Sequence, residues 1–186
     1  MRTLAITQNI TVDGSIEMLD DWFDPQGQAD AQGSDVLDEL HRQDRESDAL
    51  VLGRRTFQDF RGYWPNQAND ATGITDYLNG VQKYVVSSTM SDPAWQNSTV
   101  LAGEPATEVA ALKERPGKDI VVTGSITLCH TLIRAGLVDE YRLFVYPAVQ
   151  GRGRRLFPDG FAVPKLHVLD AKALRGGITY SRYSAF

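Results

Sequence analysis

Residues 50–57 read Leu-Val-Leu-Gly-Arg-Arg-Thr-Phe, and this stretch decides the fold. An apolar run that ends in glycine predicts a buried strand followed by a sharp turn. The residues after Gly53 open a helix, whose first N–H groups lack intrahelical partners and favour an anion. Arg54 and Arg55 add positive charge and forked donors that suit a phosphate. The stretch therefore predicts a strand–turn–helix unit with a phosphate at its turn, although a plain glycine turn before a solvated basic helix start fits it as well.

A second strand-to-polar-turn unit lies at Tyr84–Thr89. Its hydroxyl and N–H groups at Ser87 and Ser88 are suitable donors to a phosphate on a ribose. The local alternative is stronger here, because hydroxyl-rich turns end many strands without binding anything.

A third unit lies at Ile120–Thr127 and runs into a well-formed helical pattern. Gly124 would let a pyrophosphate approach the helix N-terminus, or Ser125 serves only as an N-cap. The carboxyl ends of parallel strands meet at one edge of a sheet, where ligands bind. Three polar turns on that edge, with two arginines among them, predict a dinucleotide that carries an additional phosphate.

The rest of the chain alternates strand and helix patterns. Eight segments have strand signals: Thr3–Gln8, Ala49–Leu52, Lys83–Ser87, Thr99–Leu101, Asp119–Thr123, Glu140–Val145, Lys165–Ala171 and Gly177–Tyr183. Helical patterns lie at Asp35–Arg45, Ile74–Leu78, Thr107–Lys113 and Ser125–Ala135. This alternation predicts a mostly parallel sheet, and the last two strands predict an antiparallel pair at one end. With no repeat or linker, we expect one α/β domain over residues 1–186.

Composition narrows the class of protein. The chain is 42% hydrophobic and 23% charged, which is ordinary for a globular enzyme, and its net charge of −5 gives no reason to expect nucleic acid. The single cysteine, Cys129, excludes an intrachain disulfide, and we expect a buried, inert thiol. With no signal-peptide pattern and no apolar run long enough for a membrane helix, we expect a cytoplasmic protein.

Several common site signatures are missing from the sequence. No G-x-G-x-x-G follows the first strand, and the G-K-[ST] of a P-loop does not occur. No G-x-S-x-G marks a serine nucleophile. The histidines, His41, His130 and His167, are scattered and predict no metal site.

Seven segments, taken in their order and spacing, carry a resemblance over nearly the full length. They are Val12-Asp-Gly-Ser-Ile16, Ala49-Leu-Val-Leu-Gly-Arg-Arg-Thr-Phe57, Tyr63-Trp-Pro65, Lys83-Tyr-Val-Val-Ser-Ser88, Asp119-Ile-Val-Val-Thr-Gly-Ser125, Gly136-Leu-Val-Asp-Glu-Tyr-Arg142 and Leu156-Phe157. On these segments the chain resembles the dihydrofolate reductase-like superfamily. Within it, the chain is similar to the stand-alone bacterial branch related to the reductase domain of the riboflavin-pathway bifunctional deaminase–reductase.

This resemblance implies a three-layer α/β fold with a mostly parallel central sheet of about eight strands and an antiparallel C-terminal strand. NADPH would lie across the carboxyl edge of that sheet, held by residues from four segments. By position these are Gly53, Arg54, Arg55 and Thr56 for the pyrophosphate and 2′-phosphate, Ser87 and Ser88 near the adenine ribose phosphate, Thr123, Gly124, Ser125, Ile126 and Thr127 at the glycine-containing helix start, and Val12, Gly14 and Ile16 in the loop over the nicotinamide. Such proteins are often homodimers, and Leu137–Tyr141 with the strand that follows is the expected partner surface.

The substrate side is less defined. True dihydrofolate reductases hold the pterin with a buried carboxylate on the first helix. The apolar residues Val36, Leu37 and Leu40 take the inward face of that helix here, which turns its acids outward and speaks against true folate reduction. Asp38 is the candidate acid on this helix, and Asp13 is an alternative that could reach the pocket from the loop.

The pocket wall and the reaction follow from the same resemblance. The aromatic pair Tyr63 and Trp64 either walls a substrate pocket or packs in the core. We predict an NADPH-dependent reductase that transfers a hydride to a small heterocyclic or carbonyl-type substrate. A riboflavin-pathway-type pyrimidine reductase is the first alternative, in which Arg152, Arg154 and Arg155 would bind a ribosyl phosphate. A non-catalytic nucleotide-binding module on the same fold is the second.

Overall fold

The computed structural model describes residues 1–24, 34–163 and 165–185. Within these residues eight strands form one sheet: β1 (Leu4–Thr11), β2 (Ser47–Gly53), β3 (Gln82–Val86), β4 (Ser98–Leu101), β5 (Asp119–Gly124), β6 (Glu140–Tyr146), β7 (His167–Ala173) and β8 (Thr179–Ser184). Their order across the sheet is β4-β3-β2-β5-β1-β6-β8-β7. Strand β8 is antiparallel to both of its neighbours, and the other pairs are parallel. The predicted sheet, mostly parallel with an antiparallel C-terminal strand, is confirmed.

Five α-helices within the described residues cover the two faces of the sheet. They are α1 (Ser34–Glu46), α2 (Arg54–Tyr63), α3 (Ile74–Gly80), α4 (Pro105–Lys113) and α5 (Ile126–Arg134). Alternate residues of the central strands face opposite helices, as the two-residue period of a strand requires. Val51 and Val122 pack with α4 and α5, whereas Leu50 and Val121 pack with α2 and α3. This gives the three layers that the sequence predicts.

A cleft forms on the face that carries α1, α2 and α3. Helix α1 packs over β6 and β8 through Val36, Phe144 and Tyr180, while α2 and α3 pack over β2 and β3. Between the two helical groups, Val121 and Thr123 of β5 line a cavity. Since β5 is the central strand between β2 and β1, the cleft ends at the carboxyl edge, where α/β folds bind ligands.

The expected partner surface at Leu137–Tyr141 and the strand after it is corrected by the sheet order. That strand, β6, lies between β1 and β8, and Tyr141 is only 2% exposed. The edges of the sheet are β4 and β7 instead. Among the described helices, none combines the length and apolar character that a bilayer-spanning segment requires.

Candidate active site

A cavity of about 920 Å³ occupies the cleft between α1 and the α2–α3 pair. Leu50 and Val121 form part of its floor, and the turn between β5 and α5 lines its outer end with Thr123, Gly124, Ser125, Ile126 and Thr127. The cavity is large enough for a substrate together with part of a dinucleotide.

Two glycine turns press against each other at this outer end. A Cβ added to Gly53 would lie 2.3 Å from the Ser125 Oγ and 3.1 Å from the Ser125 backbone nitrogen. Gly124 has a φ of +149°, and a Cβ there would lie 2.8 Å from the Thr56 Oγ1. The peptide bond between Gly124 and Ser125 is cis. The close approach brings the N-termini of α2 and α5 to one place on the carboxyl edge of the sheet.

Helix α2 begins with free donors. Its N-cap, Gly53, provides no side-chain hydrogen bond to the first turn. Arg55 and Thr56 line the cavity, and Arg54 is exposed at the same helix start without lining it. Within the part of the chain that the structure describes, neither arginine forms a hydrogen bond or ion pair. The start of α2 therefore offers N–H groups and two uncommitted guanidinium groups to an anion.

In the other two predicted turns, the serine hydroxyls already form hydrogen bonds within the protein. The Ser125 Oγ accepts a hydrogen bond from the Leu128 N–H at 3.4 Å and so acts as the N-cap of α5. The Ser87 Oγ accepts from the backbone N–H groups of Thr89 and Met90 at 3.2 and 3.1 Å, which shapes its own turn. Ser87 and Ser88 do not line the cavity. Ser88 is exposed just beyond β3, which pairs with β2 up to Gly53.

The loop after β1 is tied down by Asp13. Its carboxylate accepts hydrogen bonds from the Thr11 hydroxyl at 2.6 Å and from the Gly151 and Gln150 N–H groups at 2.8 and 3.2 Å. These bonds lower the pKa of Asp13 to about 2. Asp13 does not line the cavity and is fully ionised near neutral pH, so it is unsuited to donate a proton there.

Of the three residues in this loop expected near the nicotinamide, only Ile16 lines the cavity, and it is 5% exposed. Val12 points to solvent, and Gly14 makes the turn with a φ of +86°. The loop is also clamped by ion pairs from a neighbouring segment. Arg154 pairs with Glu17 at 2.6 Å, and Arg152 pairs with Asp20 at 2.5 Å.

The sequence predicts that the acids of α1 point outward, and only some of them do. Asp38 is exposed and does not line the cavity. Glu39 is only 5% exposed, and its carboxylate pairs with Arg42 and with Lys172 of β7. Burial alone would raise the pKa of Glu39, but the two cations outweigh it and lower the pKa to about 2. Glu39 is thus a buried structural ion rather than a proton source.

Asp44, in the last turn of α1, is the acid of this helix that lines the cavity. Within the described residues its carboxylate makes no hydrogen bond or ion pair, and burial raises its pKa to about 6. A carboxyl group in this range can hold or release a proton near neutral pH. The sequence-based statement that the first helix lacks an inward acid is corrected. The signal was the spacing, since Val36, Leu40 and Asp44 are four residues apart and share one helix face.

Aromatic side chains wall the inner part of the cavity. Tyr63 and Trp64 both line it, with their rings in edge-on contact at a centroid distance of 5.0 Å. Trp64 is 7% exposed and also packs in the core under α2. It therefore has both of the roles that the sequence allows, lining the pocket and packing in the core. The Tyr77 hydroxyl lies 3.2 Å from the Ser47 Oγ, and burial raises the pKa of Tyr77 to about 12, which keeps it protonated.

Over residues 2–180 the sequence matches the RibD C-terminal domain family. The chain belongs to this family. Among curated proteins, the uncharacterized protein YyaP of Bacillus subtilis (strain 168) is 30% identical over 190 residues, which cover 98% of this chain and 94% of YyaP.

Two solved structures share the fold of this RibD C-terminal domain. A putative riboflavin biosynthesis protein from Shewanella sp. PV-4 has a TM-score of 0.71 at 18% identity, with 98% of each chain covered. A pyrimidine reductase-like protein from Corynebacterium diphtheriae has a TM-score of 0.66 at 17% identity, covering 98% of this chain and 91% of that chain. Membership of the RibD C-terminal domain family supports a reductase of the riboflavin-pathway type, and the resemblance deduced from the seven sequence segments is confirmed.

Proposed function

We propose that the protein is an NADPH-dependent reductase that transfers a hydride to a small heterocyclic or carbonyl-type substrate. One observation carries this proposal. The close approach of Gly53 to Ser125 brings the N-termini of α2 and α5 together at the mouth of a large cavity. Two helix N-termini beside Arg54 and Arg55 form a site for a ligand with several phosphate groups.

The residues present fit NADPH, since a side chain at position 53 or 124 would fill the space in which the backbone turns meet. In this proposal the first turn of α2 and the turn before α5 hold the pyrophosphate. Arg54 and Arg55 at the start of α2, with Ser88 exposed beside it, read the 2′-phosphate, and Ile16 covers the nicotinamide end. When bound, NADPH would supply the hydride, while the chain orients the substrate and excludes water.

The test is calorimetric titration of the purified protein with NADPH and, separately, with NADH. We expect NADPH to bind more tightly, because only NADPH carries the 2′-phosphate. The double variant Arg54→Ala/Arg55→Ala should lose about tenfold or more in NADPH affinity and much less in NADH affinity, as expected when hydrogen bonds to a charged group are removed. The matched control is Arg115→Ala/Arg134→Ala, which removes the same charge from exposed sites outside the cavity.

Each other result has a defined meaning. Equal losses for NADPH and NADH would contradict the assignment of the arginines to the 2′-phosphate. NADPH binding without oxidation by any pterin, pyrimidine or carbonyl of a broad panel would favour the non-catalytic nucleotide-binding module. A cytoplasmic location and a homodimer stay predictions of the sequence.

A further inference from the structure

We infer that the part of the cavity floor formed by Thr7 and Gln43 accepts hydrogen bonds and donates none, and that the buried Glu39 imposes this polarity. A ligand must then present an uncharged N–H or O–H donor to this part of the floor. The cavity is the substrate site only under the proposed function, so the inference rests on it for that one point. The polarity itself follows from contacts among the described residues.

Glu39 begins a chain of hydrogen bonds that leads to the cavity, although Glu39 does not line the cavity itself. Burial alone would raise its pKa, but Arg42 and Lys172 outweigh burial and lower the pKa to about 2. The carboxylate is therefore ionised near neutral pH, and an ionised carboxylate can only accept hydrogen bonds. Each polar group that touches it must turn a donor towards it.

Gln43, one turn further along α1, has the orientation of its amide fixed by this carboxylate. Its Nε2 lies 3.4 Å from the Glu39 Oε1 and 3.5 Å from the Tyr180 hydroxyl oxygen. Burial and the Glu39 charge raise the pKa of Tyr180, so its phenol stays protonated and donates to Glu39 in turn. Turning the Gln43 amide over would place its carbonyl oxygen against the carboxylate, and two acceptors in contact at a buried site are costly.

Thr7 of β1 receives this polarity from the other end of the amide. Its Oγ1 lies 2.9 Å from the Gln43 Oε1. Because an amide oxygen carries no proton, the single hydroxyl proton of Thr7 must lie between these two atoms. Both residues line the cavity and are more than nine-tenths buried. They therefore offer a ligand the lone pairs of two oxygens and no proton.

The neighbouring amide on the same strand shows what an unfixed polar group looks like. Asn9 lies two residues further along the same face of β1 and also lines the cavity. Within the described residues its side chain makes no hydrogen bond, so its amide is free to turn either way. Selection by polarity is thus confined to Thr7 and Gln43.

This polarity restricts how a substrate can lie in the cavity. A carbonyl oxygen or an unprotonated ring nitrogen at Thr7 would face oxygen lone pairs, and neither side could supply a proton. The C=O or C=N bond to be reduced must therefore point away from this part of the floor. It then faces the carboxyl edge of the sheet, where the cofactor is proposed to bind.

The experiment uses the full chain without cofactor and two flat bicyclic probes of nearly equal shape. Indole can only donate a hydrogen bond through its N–H, and benzoxazole can only accept one. Calorimetric titration should show indole binding about threefold or more tighter than benzoxazole. Thr7→Val should weaken indole by about threefold to tenfold and leave benzoxazole nearly unchanged, as the loss of one neutral hydrogen bond predicts.

Two further variants test whether the hydroxyl of Thr7 is the cause. Thr7→Ser keeps the hydroxyl and should restore the preference for indole. Asn9→Val is the matched control, because it removes a polar side chain from the same face of β1 without touching the chain of hydrogen bonds. It should leave the ratio of the two affinities unchanged.

The positioning role of Glu39 is tested by Glu39→Gln, which keeps the shape of the side chain but adds donors. The Gln43 amide can then turn over, and Thr7 can donate into the cavity. The ratio of indole to benzoxazole affinity should fall by about threefold or more, although position 39 touches no ligand. Gln43→Met frees the Thr7 hydroxyl to turn and should lower the same ratio if the loss of charge at position 39 prevents folding.

NMR of the unliganded protein gives a readout that needs no probe. The two protons on the Gln43 Nε2 should show stronger through-space cross-peaks to the Tyr180 ring than to the Thr7 methyl group. The difference should shrink in Glu39→Gln. Stronger cross-peaks to Thr7 in the unmodified protein would mean that the amide has the opposite orientation, and the inference would be wrong.

The remaining outcomes separate this inference from the proposed function. Tighter binding of benzoxazole than of indole, or no binding of either probe, would overturn the inference. A preference for indole that survives Thr7→Val would place the N–H on another acceptor, and an unchanged ratio in Glu39→Gln and Gln43→Met would remove the role of Glu39. Failure of NADPH binding with the probe pattern intact would sink the reductase proposal alone.

Discussion

An acid that lies against apolar side chains without a partner costs the folded state free energy whenever it is ionised. Asp44 is in this position, and burial raises its pKa from the ordinary 3.8 to about 6. Glu39, five residues earlier on α1, is only 5% exposed but has Arg42 and Lys172 as partners. The contrast indicates that Glu39 stabilises the folded state through its ion pairs, whereas the ionised Asp44 destabilises it. Acids of binding sites often reduce stability in this way.

Replacing this acid should therefore stabilise the protein in a pH-dependent way. Because the folded pKa of Asp44 lies above the unfolded one, the folded state binds more protons between about pH 4 and 6, and stability falls as the pH rises through this range. Asp44→Asn should raise the free energy of unfolding by about 1–2 kcal/mol at pH 8, less than the full shift implies because Asp44 is partly exposed. The gain should vanish near pH 4. Urea denaturation at both pH values measures it.

The control for this prediction is Asp38→Asn, since Asp38 is an exposed acid on the same helix. It should change the free energy of unfolding by less than about 0.5 kcal/mol at either pH. A stabilisation by Asp44→Asn that is equal at pH 4 and pH 8 would contradict the assigned cause, because it could not come from ionisation.

The position of Asp44 could be predicted from the sequence. The period of α1 was recognisable from Val36 and Leu40, and the same spacing leads to Asp44. The local pattern alone indicates that the apolar face of α1 ends before this acid. Only the cavity beside the helix shows that the acid belongs to the same face. Glu39 could not have been placed, because Lys172 comes from β7, 133 residues further along the chain.

At the scale of elements, the site depends on how closely α2 and α5 approach each other. Gly53 is the contact point, since a Cβ there would lie 2.3 Å from the Ser125 Oγ, 3.0 Å from its Cβ and 3.1 Å from its backbone nitrogen. Real Cβ atoms do not approach other atoms so closely, so one of the two turns must shift if a side chain is added.

Gly53→Ala should therefore separate the two turns and weaken NADPH binding by about tenfold or more, with a loss of stability of about 1–3 kcal/mol from overpacking. The second change Ser125→Gly removes the two closest atoms, and glycine is accepted at an N-cap at a cost of a few tenths of a kcal/mol. The double variant should recover much of the NADPH affinity. Calorimetry and urea denaturation of the three variants test this.

Gly62→Ala is the matched control on the same helix, because nothing lies within 4 Å of a Cβ at that position. It should raise stability by about 0.5–1 kcal/mol through helix propensity and leave NADPH affinity unchanged. An affinity loss in Gly62→Ala equal to that in Gly53→Ala would show that the effect comes from α2 in general and not from its contact with Ser125.

The elements themselves were largely predictable, and their contacts were not. The strand ending at Gly53 and the polar turn at Gly124 are visible in the sequence as apolar runs that stop at glycine. The ends of the strands and helices differ from the predicted ends by up to three residues. Strand β1, for example, continues to Thr11 because it pairs with β6 along that length. That Gly53 touches Ser125 depends on β5 lying beside β2, which local patterns do not encode.

At the scale of the whole molecule, the sheet order decides which surfaces are free. Alternating strands and helices predict a parallel sheet, but they do not say which strands lie at its edges. The partner surface expected at β6 was wrong for this reason, since β6 is an interior strand. Strand β7 forms an edge instead, and Val168 and Leu169 on it are 64% and 51% exposed.

A long exposed edge strand with apolar side chains is a template for pairing with another chain. Antiparallel pairing of two β7 strands about a two-fold axis at Ala171 would place Asp170 of one copy opposite Lys172 of the other. Both charges would then gain a partner across the axis in addition to the contact they share at 2.9 Å within one chain. The free edge and the charge pattern together make β7, rather than the surface predicted from the sequence, the place where we expect two copies to meet.

Sedimentation of the full chain at micromolar concentration should accordingly give a dimer. Val168→Lys/Leu169→Lys should weaken the dimer by about tenfold or more, because it removes apolar area from the contact and adds positive charge along the edge that the two copies would share. Val149→Lys, at a position that is 74% exposed outside β7, is the matched control and should sediment like the unmodified protein. A monomer across the whole concentration range would show that the chain does not pair along this edge. A dimer unchanged in the β7 variant would show that two chains meet elsewhere, because charges placed on the shared strand would weaken its association.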